Sequence, residues 1–96
     1  MNEKRDAYVQ KLKAQLDEWN ADINKLEAKS DQAEAGAKIE YHKRIADLRA
    51  RRKVVEDKIG ELQQAGEGAW EDLKSGVQGA WDAMEQAIKS ARTRFK

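Results

Sequence analysis

Apolar and small side chains recur along the first two thirds of the chain at steps of three and four residues. This spacing places them on one face of an α-helix and does not fit the alternation of a β-strand. Most steps alternate three and four, as in coiled-coil heptads, and the stretch from Ala33 to Ile45 advances by fours. The pattern predicts a first helix over about residues 3–64. Its stripe is formed by Tyr8, Leu12, Leu16, Trp19, Ile23, Leu26, Ser30, Ala33, Ala37, Tyr41, Ile45, Leu48, Arg52, Val55, Ile59 and Leu62.

The segment KSDQAEAGAK, residues 29–38, offers an alternative to one long helix. Ser30, Asp31 and Gly36 are compatible with a turn, which would give three helices of similar length in a three-helix bundle. Against a turn, the stripe crosses the segment in register, and neither Pro nor a Gly pair interrupts it. We favour a continuous helix of about 60 residues, about 90 Å long at 1.5 Å per residue.

A second helix follows the run QQAGEGAW, whose two glycines predict a turn at residues 65–68. We expect this helix over about residues 69–95, because acidic residues gather at its start and basic ones at its end. Trp70 and Trp81 are eleven residues apart, almost three helical turns, and so share a face. That face would pack on the first helix or on a partner, or alternatively on lipid. It consists of Trp70, Leu73, Val77, Trp81, Met84, Ile88 and Phe95.

Composition agrees with an all-α chain. Charged residues make up 39% of the 96 residues, aromatic residues make up 6%, and there is no Pro, which is typical of long helices and coiled coils. A chain of this size and polarity has little apolar surface with which to build a core alone. We therefore predict a single helical coiled-coil domain, residues 1–96, that forms an oligomeric bundle with its shorter C-terminal helix folded back as a hairpin.

Charge is segregated along the predicted first helix. Residues 17–34 carry six acidic residues and two basic ones, and residues 38–58 carry eight basic residues and four acidic ones. Two such helices placed antiparallel, with Ala37 opposite Ala37, would set each acidic segment beside a basic one. The same pairing would form within one chain folded back near Gly36, so the sequence leaves monomer, dimer and tetramer open.

The favoured prediction is an antiparallel homodimer or homotetramer. In the register of that pairing, Arg52 lies level with Asp22 of the partner, and we expect the two to form an ion pair. The predicted self-association residues are Leu12, Leu16, Trp19, Ile23, Leu26, Ala33, Ala37, Tyr41, Ile45, Leu48, Arg52, Val55, Ile59 and Leu62.

The residues that carry chemistry in enzymes are few or scattered. There is no Cys, and the single His42 follows Tyr41 on a charged face. The carboxylates have basic neighbours, and no Gly-rich loop, metal-ligand spacing or nucleophile beside a base occurs. We expect no enzyme activity, no cofactor, no metal site and no small-molecule substrate.

The formal net charge of +1 gives no global attraction to nucleic acid or anionic lipid. The basic stretch KRIADLRARRKVV lacks interleaved aromatic residues and has an acidic counterpart in the same chain, so we do not expect nucleic-acid binding. The start, MNEKRDAYVQ, is charged, and no apolar run is long enough to span a membrane, so we expect a cytoplasmic protein. Binding to a membrane surface through the amphipathic C-terminal helix is the alternative function.

Three stretches carry a family resemblance: KRDAYVQKLKAQLDEWNADI, IEYHKRIADLRA and AWEDLKSGVQGAWDAMEQAIKSARTRF. They resemble a group of small bacterial coiled-coil proteins, some described as stress-induced, over nearly the whole chain. The resemblance implies a bacterial cytoplasmic helical protein with a role in the stress response and no catalytic residues. Gly36, Arg49, Arg51 and Arg52 depart from the pattern, which favours Ala, Gln or Glu there. Its most specific part is the two-Trp motif Ala69, Trp70, Leu73, Lys74, Gly76, Ala80, Trp81, Ala87, Ser90, Ala91 and Phe95.

Overall fold

Three helices of nearly equal length make up the part of the chain that the structure, a computed structural model, describes, residues 3–94. Helix α1 spans Glu3–Asp31, α2 spans Ala35–Gln63 and α3 spans Glu67–Arg94, and no strand occurs in this range. The helices run up, down and up, so that α2 is antiparallel to both neighbours. The protein is an all-α helical bundle.

The core runs along the length of the bundle and draws on all three helices. Each helix contributes apolar side chains at steps of three, four or seven residues, so that one face of each helix points inward. Large side chains from every helix are fully covered, including Ile23, Leu62 and Met84 at 0% exposure. The buried apolar residues are Val9, Leu12, Leu16, Trp19, Ile23, Leu26, Ile45, Leu48, Val55, Ile59, Leu62, Trp70, Val77, Met84, Ile88 and Ala91.

The chain reverses at residues 32–34, which corrects the favoured prediction of one helix over residues 3–64. Helix α1 ends in two short-range bonds, from Gln32 N–H to the Lys29 carbonyl and from Ala33 N–H to the Ser30 carbonyl, each 3.1 Å long. Glu34 is extended, with φ −64° and ψ 153°. Folding back covers the stripe of α1 with that of α2, which a straight helix in one chain cannot do.

The second reversal lies at residues 64–66, close to the predicted turn at residues 65–68. Helix α2 closes with two short-range bonds, from Gln64 N–H to the Glu61 carbonyl and from Ala65 N–H to the Leu62 carbonyl, each 3.2 Å long. The Gly66 carbonyl accepts the N–H groups of Ala69 and Trp70, at 3.1 and 3.2 Å, and so starts α3. Helix α3 therefore begins two residues earlier than predicted, and Phe95, where the prediction ends it, lies outside the described residues.

Two isoleucines give a matched test of this core. Ile23→Ala removes a side chain that is 0% exposed, and we expect a loss of about 3 kcal/mol in the free energy of unfolding, because a cavity remains. Ile39→Ala makes the same change at 64% exposure and should alter stability by less than about 0.5 kcal/mol. Urea unfolding followed by circular dichroism measures both. Equal losses for the two variants would contradict the core as described.

Candidate helix-association interface

The best-formed grooves on the surface of residues 3–94 are open to solvent. An open groove of about 660 Å³ lies at the end of the bundle where α1 begins and α2 passes into α3, with walls that include Arg5, Leu62 and Trp70. Within the same residues, no group of three or more His, Cys, Asp or Glu side chains is placed to hold a metal ion. The candidate functional site is therefore the set of contacts between the helices.

The residues predicted for self-association lie between the helices of a single chain. Ten of them are buried: Leu12, Leu16, Trp19, Ile23, Leu26, Ile45, Leu48, Val55, Ile59 and Leu62. The other four, which are Ala33, Ala37, Tyr41 and Arg52, are partly buried. In this structure, helices of the same chain therefore cover the stripe that was predicted to contact other copies.

Polar contacts fix how α1 and α2 are aligned. Arg49 donates hydrogen bonds to the Glu27 carboxylate at 3.1 Å and to the Asn24 side-chain oxygen at 3.3 Å. Nearer the turn, His42 Nε2 lies 3.4 Å from Asp31 Oδ1. The midpoints of these pairs fall at residues 36–38 of the sequence, and the predicted antiparallel dimer has its midpoint at Ala37. The register inside the chain is therefore nearly the one predicted between two chains.

Aromatic side chains connect α1 with α3, whose backbones lie farther apart than those of the other two helix pairs. The ring centroids of Trp19 and Trp81 are 4.3 Å apart, and those of Tyr8 and Trp70 are 6.2 Å apart in an edge-to-face arrangement. Both pairs share one offset, because Tyr8 precedes Trp19 by eleven residues and Trp70 precedes Trp81 by eleven. The two helices are thus parallel and matched along about three turns.

Two cationic side chains lie over the rings of Tyr8 and Trp70. The Arg5 guanidinium lies 4.6 Å from the centre of the Trp70 ring, and Lys74 Nζ lies 5.1 Å from the centre of the Tyr8 ring. Each cation comes from the helix opposite the ring it covers, so the contacts also join α1 to α3. Such contacts add about 0.5–1 kcal/mol each at exposed sites.

The predicted partner of Asp22 is not the one found within this chain. Asp22 is paired with Arg92 of α3, while Arg52 donates to Glu56 on its own helix at 3.0 Å. The difference arises because the prediction placed only two helices side by side. In the bundle the third helix brings a basic residue against the acidic half of α1. At the same end, the Tyr41 hydroxyl donates to the Arg94 carbonyl at 3.2 Å.

The basic stretch of α2 carries its own counter-charges. Arg44 pairs with Glu40 at 3.3 Å, and Arg51 pairs with Asp47 at 2.8 Å, both across one helical turn. Lys53 lies 3.0 Å from Asp57, and the hydrogen bond and negative charge of Asp57, with the charge of Glu56, raise the pKa of Lys53 above its usual 10.5. Acidic side chains therefore lie beside Arg44, Arg51 and Lys53 in this stretch.

The face of the C-terminal helix that was the candidate lipid surface lies inside the bundle. Trp70, Val77, Met84 and Ile88 are buried, and Leu73 and Trp81 are partly buried against the core. Phe95 lies outside the described residues. Among residues 3–94, no helix combines the length and the apolar character that a membrane crossing requires.

Val9 is the buried residue that the sequence analysis missed. It is 4% exposed, and it lies three residues before Leu12, which is a helical step that extends the stripe backward. The prediction had instead begun the stripe at Tyr8, whose ring lies to the side against Trp70 and α3. Continuing the alternation of threes and fours from Leu16 and Leu12 toward the N-terminus would have found Val9.

No known protein family, curated protein or solved structure matches this chain.

A double-mutant cycle tests the contact between α1 and α3. Asp22→Asn combined with Arg92→Gln should give a coupling energy of about 0.5 kcal/mol in the free energy of unfolding, since the pair is only partly exposed. The matched cycle of Asp22→Asn with Arg52→Gln should give a coupling near zero. Chemical denaturation at low protein concentration measures both cycles. The opposite pattern would show that the alignment of the helices is wrong.

Vesicle flotation tests the lipid alternative. We expect the folded chain to stay out of the floating fraction of anionic vesicles, because exposing Trp70 and Met84 to lipid would open the core. Trp fluorescence should keep the emission maximum of the protein without vesicles. Flotation together with a blue shift and unchanged helicity would contradict this expectation.

Proposed function

We propose that this chain is a non-enzymatic helical protein that acts by associating with further copies of itself. The observation that carries the proposal is the complementarity of its helix faces. The acidic half of α1 lies along the basic half of α2, with Glu27 bonded to Arg49 over a continuous apolar seam. The same contacts can form within a chain or between two chains.

The seam is strong enough to drive association. A fully buried Leu, Ile or Val side chain contributes about 1.5–3 kcal/mol relative to the exposed state. Helix α1 alone supplies six apolar side chains that are at most 7% exposed. They are Val9, Leu12, Leu16, Trp19, Ile23 and Leu26. Wherever α1 is separated from the other two helices, these side chains require a matching surface, and every copy of the chain carries one on α2 and α3.

The polar groups also support a role without catalysis. The ion pairs of Arg44, Arg51 and Lys53 are local, one helical turn apart or less, and lie on exposed surface. Catalytic acids and bases are typically set in a cleft that perturbs their pKa, which is not how these groups are placed. We therefore assign them to solvation and to helix stability.

The resemblance to small bacterial coiled-coil proteins supplies the rest of the proposal. It supports a setting in the bacterial cytoplasm, with a stress-related role for the assembly. The two-Trp motif that carries the resemblance includes Trp70 and Trp81, which in this chain contact Tyr8 and Trp19 of α1. A helix-packing role for the motif agrees with a protein whose activity is association.

Sedimentation equilibrium over a range of concentrations tests self-association. One chain has a mass of 10.9 kDa, and we expect the weight-average mass to rise with concentration to that of two or more chains. A single-chain mass at every concentration would contradict the proposal.

A further inference from the structure

We propose that copies of this chain associate by exchanging α1. The turn at residues 32–34 straightens, α1 and α2 become one helix, and α1 packs against α2 and α3 of a second copy. The inference rests on the proposed function and names the partner, which is a second copy of this chain. The interface is the surface of α2 and α3 that α1 covers in the closed form, by which we mean the three-helix bundle of a single chain. Exchange of an identical element is a low-cost route to a dimer, because the same contacts re-form.

The turn between α1 and α2 lacks the features that usually end one helix and start the next. It has three residues, and no residue among 3–94 has a positive φ, so no left-handed residue closes α1 in the way that a glycine commonly does. Glu34, the residue that starts α2, makes no side-chain hydrogen bond to cap it. Gln32, Ala33 and Glu34 are good helix formers. Nothing local to the turn therefore opposes a continuous helix.

Straightening the turn also satisfies backbone groups. Short-range bonds at the turn already reach some of the last carbonyls of α1 and some of the first N–H groups of α2. A continuous helix pairs the remaining groups with each other as well. The turn between α2 and α3 is a poorer hinge, because Gly66 and Gly68 disfavour the interior of a helix. The turn between α1 and α2 contains no glycine, and Gly36 lies in α2 just beyond it.

The stripe stays on one side of the straightened helix. Ser30, Ala33, Ala37 and Tyr41 follow at steps of three, four and four, so that the apolar faces of α1 and α2 remain aligned across the joint. In the closed bundle the contacts between α1 and α2 are centred on residues 36–38. Two straightened helices crossing antiparallel at that point re-form the same contacts between copies.

The contacts of α1 with α3 survive the exchange as well. Helix α3 remains packed on α2 of the same chain. It therefore contacts α1 of the second copy in place of α1 of its own chain. The ring contact of Trp19 with Trp81 and the ion pair of Asp22 with Arg92 then form between chains. The product is two three-helix bundles end to end, joined by two helices of about 90 Å, where the single bundle is 51 Å long.

Energy transfer within one chain distinguishes the two forms. Lys13 and Gln63 are exposed and line one groove between α1 and α2, and the chain has no Cys. The double variant Lys13→Cys, Gln63→Cys can therefore be labelled with a donor dye and an acceptor dye, and the two labelled sites are neighbours in the closed form. In the straightened helix the two sites are about 75 Å apart. The labelled chain is refolded at high concentration with a large excess of unlabelled chain, so that a dimer holds at most one labelled copy.

A matched pair of proline variants tests the hinge. Ala35→Pro fits the closed form, because Ala35 is the first residue of α2 and the extended Glu34 before it has the conformation that precedes proline. The same proline would lie in the interior of the straightened helix and break it. It should weaken dimerisation more than about 100-fold. Glu67→Pro places proline at the first residue of α3 and should leave dimerisation within about threefold of that of the original chain.

The exchange is supported if the dimer fraction has low transfer efficiency, the monomer fraction has high efficiency, and Ala35→Pro gives a helical monomer by circular dichroism. A dimer that keeps high efficiency overturns the exchange and leaves the proposed function standing. If the Ala35→Pro chain is helical and dimerises as strongly as the original chain, the exchange is likewise overturned and the proposed function stands. A chain that stays monomeric at every concentration overturns both the exchange and the proposed function.

Discussion

The need to cover one narrow apolar stripe on each helix is the constraint on which the whole structure depends. An isolated helix of this length is marginal in water, and most helical stability in proteins comes from packing an apolar face. Here the stripe of each helix packs in one core shared with the other two helices. Three stripes facing a common axis bury Ile23, Val55 and Val77, one residue from each helix, completely, and this shared core makes the three helices interdependent.

Charge and side-chain size then choose one arrangement among those that would cover the stripes. The acidic half of α1 selects the antiparallel direction of α2, with Glu27 and Asn24 meeting Arg49. Large rings select the place of α3, since the contact of Trp19 with Trp81 holds its backbone farther from α1 than α2 lies. Ion pairs on the surface contribute little to stability, about 0–1 kcal/mol each, and their effect is mainly on register.

Local sequence was sufficient to predict the helices, because helical spacing and the two glycines near residue 66 depend on neighbours in the chain. The reversal at residues 32–34 was predicted only as the alternative to a continuous helix, from Ser30, Asp31 and Gly36. Gln32, Ala33 and Glu34 favour a helix, and the chain turns there because the two stripes cover each other when it does. The pairing of Asp22 with Arg92 was missed for a related reason, since it requires the position of a third helix seventy residues along the chain.

Amide hydrogen exchange, measured residue by residue by NMR at low protein concentration, tests the interdependence of the three stripes most directly. The account predicts that the slowest amides, at Ile23, Val55 and Val77, exchange at closely similar rates, because they open only when the whole bundle unfolds. It also predicts rapid exchange at residues 32–34. Slow exchange confined to one or two helices, with the third exchanging rapidly along its whole length, would contradict a core that all three helices build together.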